Sequence, residues 1–146
     1  MKRILLLLVA VACFTISSDQ VFACTCSDYN VPICARYWQS DAVFVGQLRD
    51  ITPPPEPRPP QAMPLAILHF IVEQPFRGVT TPTVDVQTFS GTSCDIPFRK
   101  GERYLVYGAR GADSNELFTG MCMGTDSVEN SEDELNYIRS VAQGDG

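Results

Sequence analysis

The chain has 146 residues, 45% of them hydrophobic and 19% charged, and its 11 basic side chains are outnumbered by 17 acidic ones for a formal net charge of −6. Contact with nucleic-acid phosphates needs clusters of Lys and Arg that this composition lacks, so no nucleic-acid partner is expected. The length suits one domain with a core of its own.

Met1, Lys2 and Arg3 give a basic start, and Ile4 to Ala12 is an unbroken apolar run. That run has the length of a signal-peptide core and is too short to span a bilayer. Val21-Phe22-Ala23 offers small residues at the two positions that signal peptidase inspects, so residues 1–23 are expected to be removed. Cys24 would then begin an exported chain, periplasmic or extracellular. One alternative stays open: Ala10-Val11-Ala12-Cys13 is a loose lipoprotein box, through which the protein would be lipid-anchored at Cys13. No other segment is long enough for a transmembrane helix. Without Lys2, Arg3 and Asp19, nine basic and sixteen acidic side chains remain, a net charge of −7.

From Asn30 to Ser40 the order allows a short helix, with Pro32 near the first turn where its missing N–H costs nothing. Ile33 and Tyr37 would share one face, with Cys34 as a candidate third member. "DAVFVGQLRDI" (41–51) reads as a strand with both faces partly buried and a kink or bulge at Gly46. Residues 52–64 hold seven of the chain's 11 prolines, so they should form an extended, polyproline-like loop that cannot supply sheet hydrogen bonds. "LAILHFIVEQPF" (65–76) is the next strand. A turn at Arg77-Gly78 leads to "PTVDVQTF" (82–89), in which Val84, Val86 and Thr88 alternate with Asp85 and Gln87. "RYLVYGA" (103–109) and "NELFTG" (115–120) add two short strands. Five strands without crossover helices imply a mainly β fold, an antiparallel sheet closed into a barrel. Ser131 to Glu134 has the S-x-x-E spacing of a capping box, and Leu135, Ile138, Val141 and Ala142 follow at helical intervals, so a C-terminal amphipathic helix should pack on the barrel.

Five cysteines follow the expected cleavage: Cys24, Cys26, Cys34, Cys94 and Cys122. In an oxidising compartment they read as a disulfide framework with an odd thiol left over. A structural zinc site wants two paired Cys motifs or Cys with His, whereas here there is one C-x-C and a single histidine, His69. His69 lies between Leu68 and Phe70 and reads as a strand residue rather than a ligand. A redox C-x-C pair would be expected at a helix start in an α/β pattern, which leaves structural staples as the better reading. Nothing around Cys34 or His69 marks a nucleophile and its base. The acidic run from Asp126 to Glu134 is read as a solvated helix cap. The chain is therefore read as no enzyme, and it needs no cofactor.

"CTC" (24–26), "DAVFVG" (41–46), "FRG" (76–78), "TSCD" (92–95), "GERYLVYG" (101–108) and "ELFTGMC" (116–122) occur in this order over nearly the whole chain after residue 23. In that set the chain resembles a bacterial single-domain netrin-like domain of the tissue inhibitor of metalloproteinases (TIMP) type. The resemblance implies a five-stranded OB-type Greek-key barrel over residues 24–146, with helices packed on it. It also implies disulfides Cys24–Cys94 and Cys26–Cys122.

The same resemblance implies a mechanism. In TIMP inhibitors the first cysteine ligates the catalytic zinc of a metalloprotease through its free α-amine and its backbone carbonyl, at the open coordination position. An α-amine with an ordinary pKa of roughly 7.7 to 8.0 is readily neutral enough to do so. Carried over, Cys24 would be the ligand to the target protease zinc and the protein's only metal contact. Thr25 would enter the specificity pocket, Cys26 would fix the strand, and Thr92, Ser93, Cys94 and Asp95 would complete a preorganised wedge. A zinc metalloprotease is then the expected partner of a monomer. The chain departs from the animal inhibitors in lacking a third bridge and a second domain. Cys34 is left free or intermolecular, and Asp95 stands where glycine is common. A netrin-like binding or structural module of the cell envelope, inhibiting nothing, is the alternative reading.

Overall fold

A computed structural model describes Cys26 and residues 31–57, 62–111 and 114–144. The first helix, α1, is Ile33–Gln39. Pro32 precedes it, and its carbonyl accepts the Arg36 N–H at 3.0 Å. Proline fits here because the N–H it lacks has no acceptor in the first turn. Tyr37 is buried and Ile33, one turn earlier, packs in the same cluster. Cys34 does not join that face: it is exposed, because one residue rotates the side chain about a quarter-turn round the helix.

The strands are β1 (Ala42–Thr52), β2 (Leu65–Arg77), β3 (Thr83–Phe89), β4 (Arg103–Arg110), β5 (Leu117–Phe118) and β6 (Asp126–Ser127). β1 pairs antiparallel with β2 on one side and β4 on the other, β2 with β3, and β4 with β5, while β3 and β5 run parallel. The neighbours thus follow one another as β1-β2-β3-β5-β4 and back to β1, a closed five-stranded barrel of the expected OB type. β6, not expected from the sequence, adds two residues beside β4. β5 is shorter than "NELFTG" predicted, because after Phe118 the chain turns through Gly120 into a 3-10 turn at Met121–Met123. Residues 58–61 of the proline-rich loop lie outside the described residues.

β1 bends along its length. The register against β2 shifts between Val45 and Gly46. A Cβ at Gly46 would lie 2.9 Å from Phe44 Cε2 and 3.0 Å from the Ile71 carbonyl oxygen, so the bend has no room for a larger residue. Two cores follow. Phe44, Leu48, Leu68, Phe70, Val86 and Val106 fill the barrel. Val43, Val45, Leu105 and Tyr107 face the other way and meet Tyr37 of α1 with Leu135 and Ile138 of the second helix, α2 (Glu132–Gly144). β1 and β4 are thus apolar on both faces because a core lies on each side of them.

α2 starts differently from the capping box that its sequence spells. Ser131 Oγ donates back to the Ser127 carbonyl at 2.9 Å. Glu134 Oε1 is turned inward, accepting Arg36 Nη1 at 2.7 Å and the Tyr107 hydroxyl at 2.6 Å. The acidic run is therefore only partly a solvated cap, since the Glu134 side chain is 16% exposed. Leu135, Ile138 and Val141 pack as the periodicity predicts, whereas Ala142 faces solvent. No helix among the described residues is long and apolar enough to cross a membrane.

Candidate functional site

Two strands that run parallel end at the same end of a sheet. β3 and β5 do so, joined by Val86↔Leu117 and Gln87↔Phe118. The connector that follows β3 and the turn that follows β5 therefore leave the barrel side by side. The first carries Thr92, Ser93, Cys94 and Asp95, and the second carries Cys122. Cys26 is disulfide-bonded to Cys122 across 96 residues of sequence, which fixes the start of the described chain to this end of the barrel. Cys94 is also disulfide-bonded. Its expected partner Cys24, together with Thr25 and Cys13, lies outside the described residues.

The connector is tied to itself. Gly91, at φ 71°, allows the chain to reverse, and its N–H donates to Asp95 Oδ2 at 2.9 Å. The Cys94 N–H donates to Thr92 Oγ1 and the Asp95 N–H to the Thr92 carbonyl, both at 3.2 Å. Asp95 thus closes its own loop. Ser93 is exposed and Thr92 half-buried.

The Cys122 turn is pinned from both flanks to one residue. Thr119 Oγ1 donates to the Tyr107 carbonyl at 2.8 Å, and the Tyr107 N–H donates to Thr125 Oγ1 at 2.9 Å. The two hydroxyls also meet each other at 2.7 Å, and both residues are buried. The turn closes at Gly124, at φ 88°, where a Cβ would sit 2.6 Å from Arg36 Cδ. Arg36 is in turn bound to Glu134 and lies over the Tyr107 ring, 5.6 Å from its centre. Tyr107 consequently holds its proton far above the usual phenol range, first through burial and then through the Glu134 carboxylate beside it. The disulfide is thereby mounted on a rigid support that reaches from α1 to α2.

His69 does not meet Cys34. On the outer face of the barrel its Nε2 is 2.8 Å from Thr52 Oγ1 and its Nδ1 is 2.7 Å from Asp85 Oδ1, linking β1, β2 and β3. Hydroxyl, imidazole and carboxylate stand in the order that nucleophilic sites use. Thr52 is followed by Pro53, however, which has no N–H to offer a developing oxyanion, and Thr52 and Asp85 are exposed, so water is not excluded. The trio is a cross-strand ladder. Nearby, the Lys100 ammonium binds Asp50 and holds its carboxyl below the ordinary range, with help from the Ile51 N–H. Among the described residues no group of three metal-binding side chains converges.

Sequence reasoning did not find the Thr119–Thr125–Tyr107 support or the Arg36–Glu134 pair. Thr119 and Gly120 sit inside the quoted "ELFTGMC", yet nothing local shows where a threonine hydroxyl will turn. Comparison with protein-family models and with curated proteins finds no match to this chain.

Proposed function

We propose that the protein is an exported inhibitor of zinc metalloendopeptidases that presents the Cys24 α-amine and carbonyl to the protease zinc. The observation that carries this reading is the Cys26–Cys122 bridge, which ties the residue two places after Cys24 to the turn that follows β5. Further support comes from the self-tied connector, the disulfide at Cys94 and the quoted order of motifs. An inhibitor of this kind needs no catalytic residue of its own. It gains affinity from a wedge that is already ordered before binding, and the zinc belongs to the target. In this reading Thr25 selects the target pocket, Thr92 and Ser93 flank it, and export delivers the protein to the periplasm or beyond.

The test has two stages. Mass analysis of the exported protein should find Cys24 at the N-terminus with a free amine; a chain retained from a lipidated Cys13, or one acylated on Cys24, would rule the mechanism out. Titration against a panel of zinc endopeptidases should then show inhibition that is lost when one alanine is inserted before Cys24. If a free Cys24 amine accompanies no inhibition across the panel, the netrin-like binding module becomes the reading.

A further inference from the structure

β4 carries β5 at its C-terminal end and β6 at its N-terminal end. Beside β6 a cleft of about 450 Å3 opens between the connection that leads into β4 and the 3-10 turn at Val128–Asn130. One wall presents Arg99, Glu102 and Arg103, and the other presents Ser127, Glu129 and Asn130. None of these residues lies on β2 or β3 or belongs to the proposed protease wedge. Both walls are fixed by their own bonds. The Gly101 N–H donates to the Leu48 carbonyl at 2.7 Å, the Leu48 N–H to the Glu102 carbonyl at 2.9 Å, and Gln47 Nε2 to the Gly101 carbonyl at 3.1 Å. Opposite, Asp126 Oδ1 accepts the Ser127 N–H at 2.6 Å and Asn130 Nδ2 at 3.1 Å, and Ser131 Oγ holds the Ser127 carbonyl.

Two guanidinium residues and two carboxylate residues line the cleft, so their formal charges cancel, but not where they stand. Arg103 is engaged outside the cleft, donating from Nε and Nη2 to Glu73 Oε2 at 2.6 Å. Glu102 accepts the Tyr104 hydroxyl at Oε2 and stands 3.5 Å from Arg99 Nη1 through Oε1. Arg99 therefore keeps Nε and Nη2 to donate. Across the cleft, the Glu129 carboxylate has no partner among the described residues. Asn130, with its Nδ2 turned to Asp126, keeps Oδ1 to accept. A cation on one wall thus faces an anion on the other without pairing with it. A ligand of net charge would be repelled by one of the two, whereas a dipolar ligand of zero net charge satisfies both. The fork of a guanidinium matches a carboxylate, and the three N–H groups of an ammonium suit the Glu129 oxygens and Asn130 Oδ1. Val128, half-buried in the same lining, offers apolar surface to the carbon chain between the two ends.

We propose that this cleft binds a zwitterionic amino acid or short peptide, with Arg99 holding its carboxylate and Glu129 and Asn130 its ammonium. The test is titration of the full exported chain, labelled with nitrogen-15, with glycine, diglycine and triglycine, which set the two charges at increasing separations. At least one should shift the amide signals of Arg99 to Arg103 and Ser127 to Asn130 with a Kd of about 1 mM or tighter. Its N-acetylated and its amidated forms, each lacking one charge, should bind at least about tenfold more weakly. Arg99→Ala and Glu129→Gln should each weaken the uncapped ligand by about the same factor, while Gln87→Ala, on β3, leaves it unchanged. Thermal midpoints of the variants separate lost contacts from lost fold. Silence of these signals with all three ligands, equal binding of either capped form, or undiminished binding to either cleft variant would each overturn the proposal.

Discussion

Replacing Glu134 by Gln removes one charge and almost no volume, and it tests whether the helices are locked to the barrel by that charge. Glu134 Oε1 accepts from both Arg36 and Tyr107, and the Arg36 and Glu134 side chains are only 24% and 16% exposed. A hydrogen bond to a charged group contributes about 1.5–3 kcal/mol, more than the 0–1 kcal/mol typical of exposed pairs. The amide can still accept from Tyr107, and Arg36 retains the Val31 carbonyl at 3.4 Å, so the loss should be near the middle of the stronger range, about 2 kcal/mol. For a chain of this length that lowers Tm by roughly 6–10 °C. Urea unfolding followed by circular dichroism on the wild type, Glu134→Gln, Arg36→Met and the double variant closes a thermodynamic cycle. The coupling between the two residues should be at least about 1 kcal/mol. A coupling below about 0.3 kcal/mol would show that the pair behaves as a solvated surface contact, and the argument from its burial would fail.

Thr125→Val should cost about 1–3 kcal/mol, because it leaves the buried Tyr107 N–H without its acceptor, and Thr119→Val about 1 kcal/mol, because the Tyr107 carbonyl keeps Thr125 Oγ1 at 3.3 Å; denaturant midpoints decide, and a change under about 0.5 kcal/mol in both would contradict the pinned turn. Gly124→Ala should destabilise by more than the ordinary 1 kcal/mol or so of a positive-φ site, and the excess should vanish in an Arg36→Ala background, since the new Cβ would meet the Arg36 side chain. Because burial and Glu134 raise the Tyr107 pKa in the folded state, its contribution to stability is complete below about pH 10, the unfolded phenol pKa, and is lost as the pH rises above it. Tyr104 shifts the same way through burial, so Tyr107→Phe should flatten the alkaline fall in urea midpoint without abolishing it. Replacing Cys26 and Cys122 together by Ala should remove roughly 2–5 kcal/mol, and unchanged unfolding midpoints would show that the bridge does not constrain the chain.

What could be read in the sequence was what neighbouring residues settle among themselves. The run "AVFV" is apolar on both faces, as a strand between two cores must be, and Gly46 marks the bend before any coordinate does. Closure into a barrel also followed from strands without crossover helices, but the sheet was expected to be antiparallel throughout, whereas β3 pairs parallel with β5. The start of α2 was misread for the opposite reason. Ser131 and Glu134 have the spacing of a capping box, but Arg36, 98 residues earlier, offers Glu134 a charged partner that a backbone N–H cannot match. The short β5, the Thr119–Thr125 clasp and the Thr52–His69–Asp85 ladder depend on register across strands, which periodicity does not encode.

The double pairing of β1 also sets the order in which the molecule can be made. Its partner β2 follows within the next connection, but the other edge, where Phe44 lies opposite Val106, stays open until β4 has been synthesised. Until then an apolar strand exposes unpaired N–H and C=O groups, the template on which chains add to one another. The loop that must close is long and its contacts are non-local, so closure is the slow step. Crowded, half-made chains should therefore aggregate through residues 42–45, and a polar substitution there would protect them only by spoiling a core.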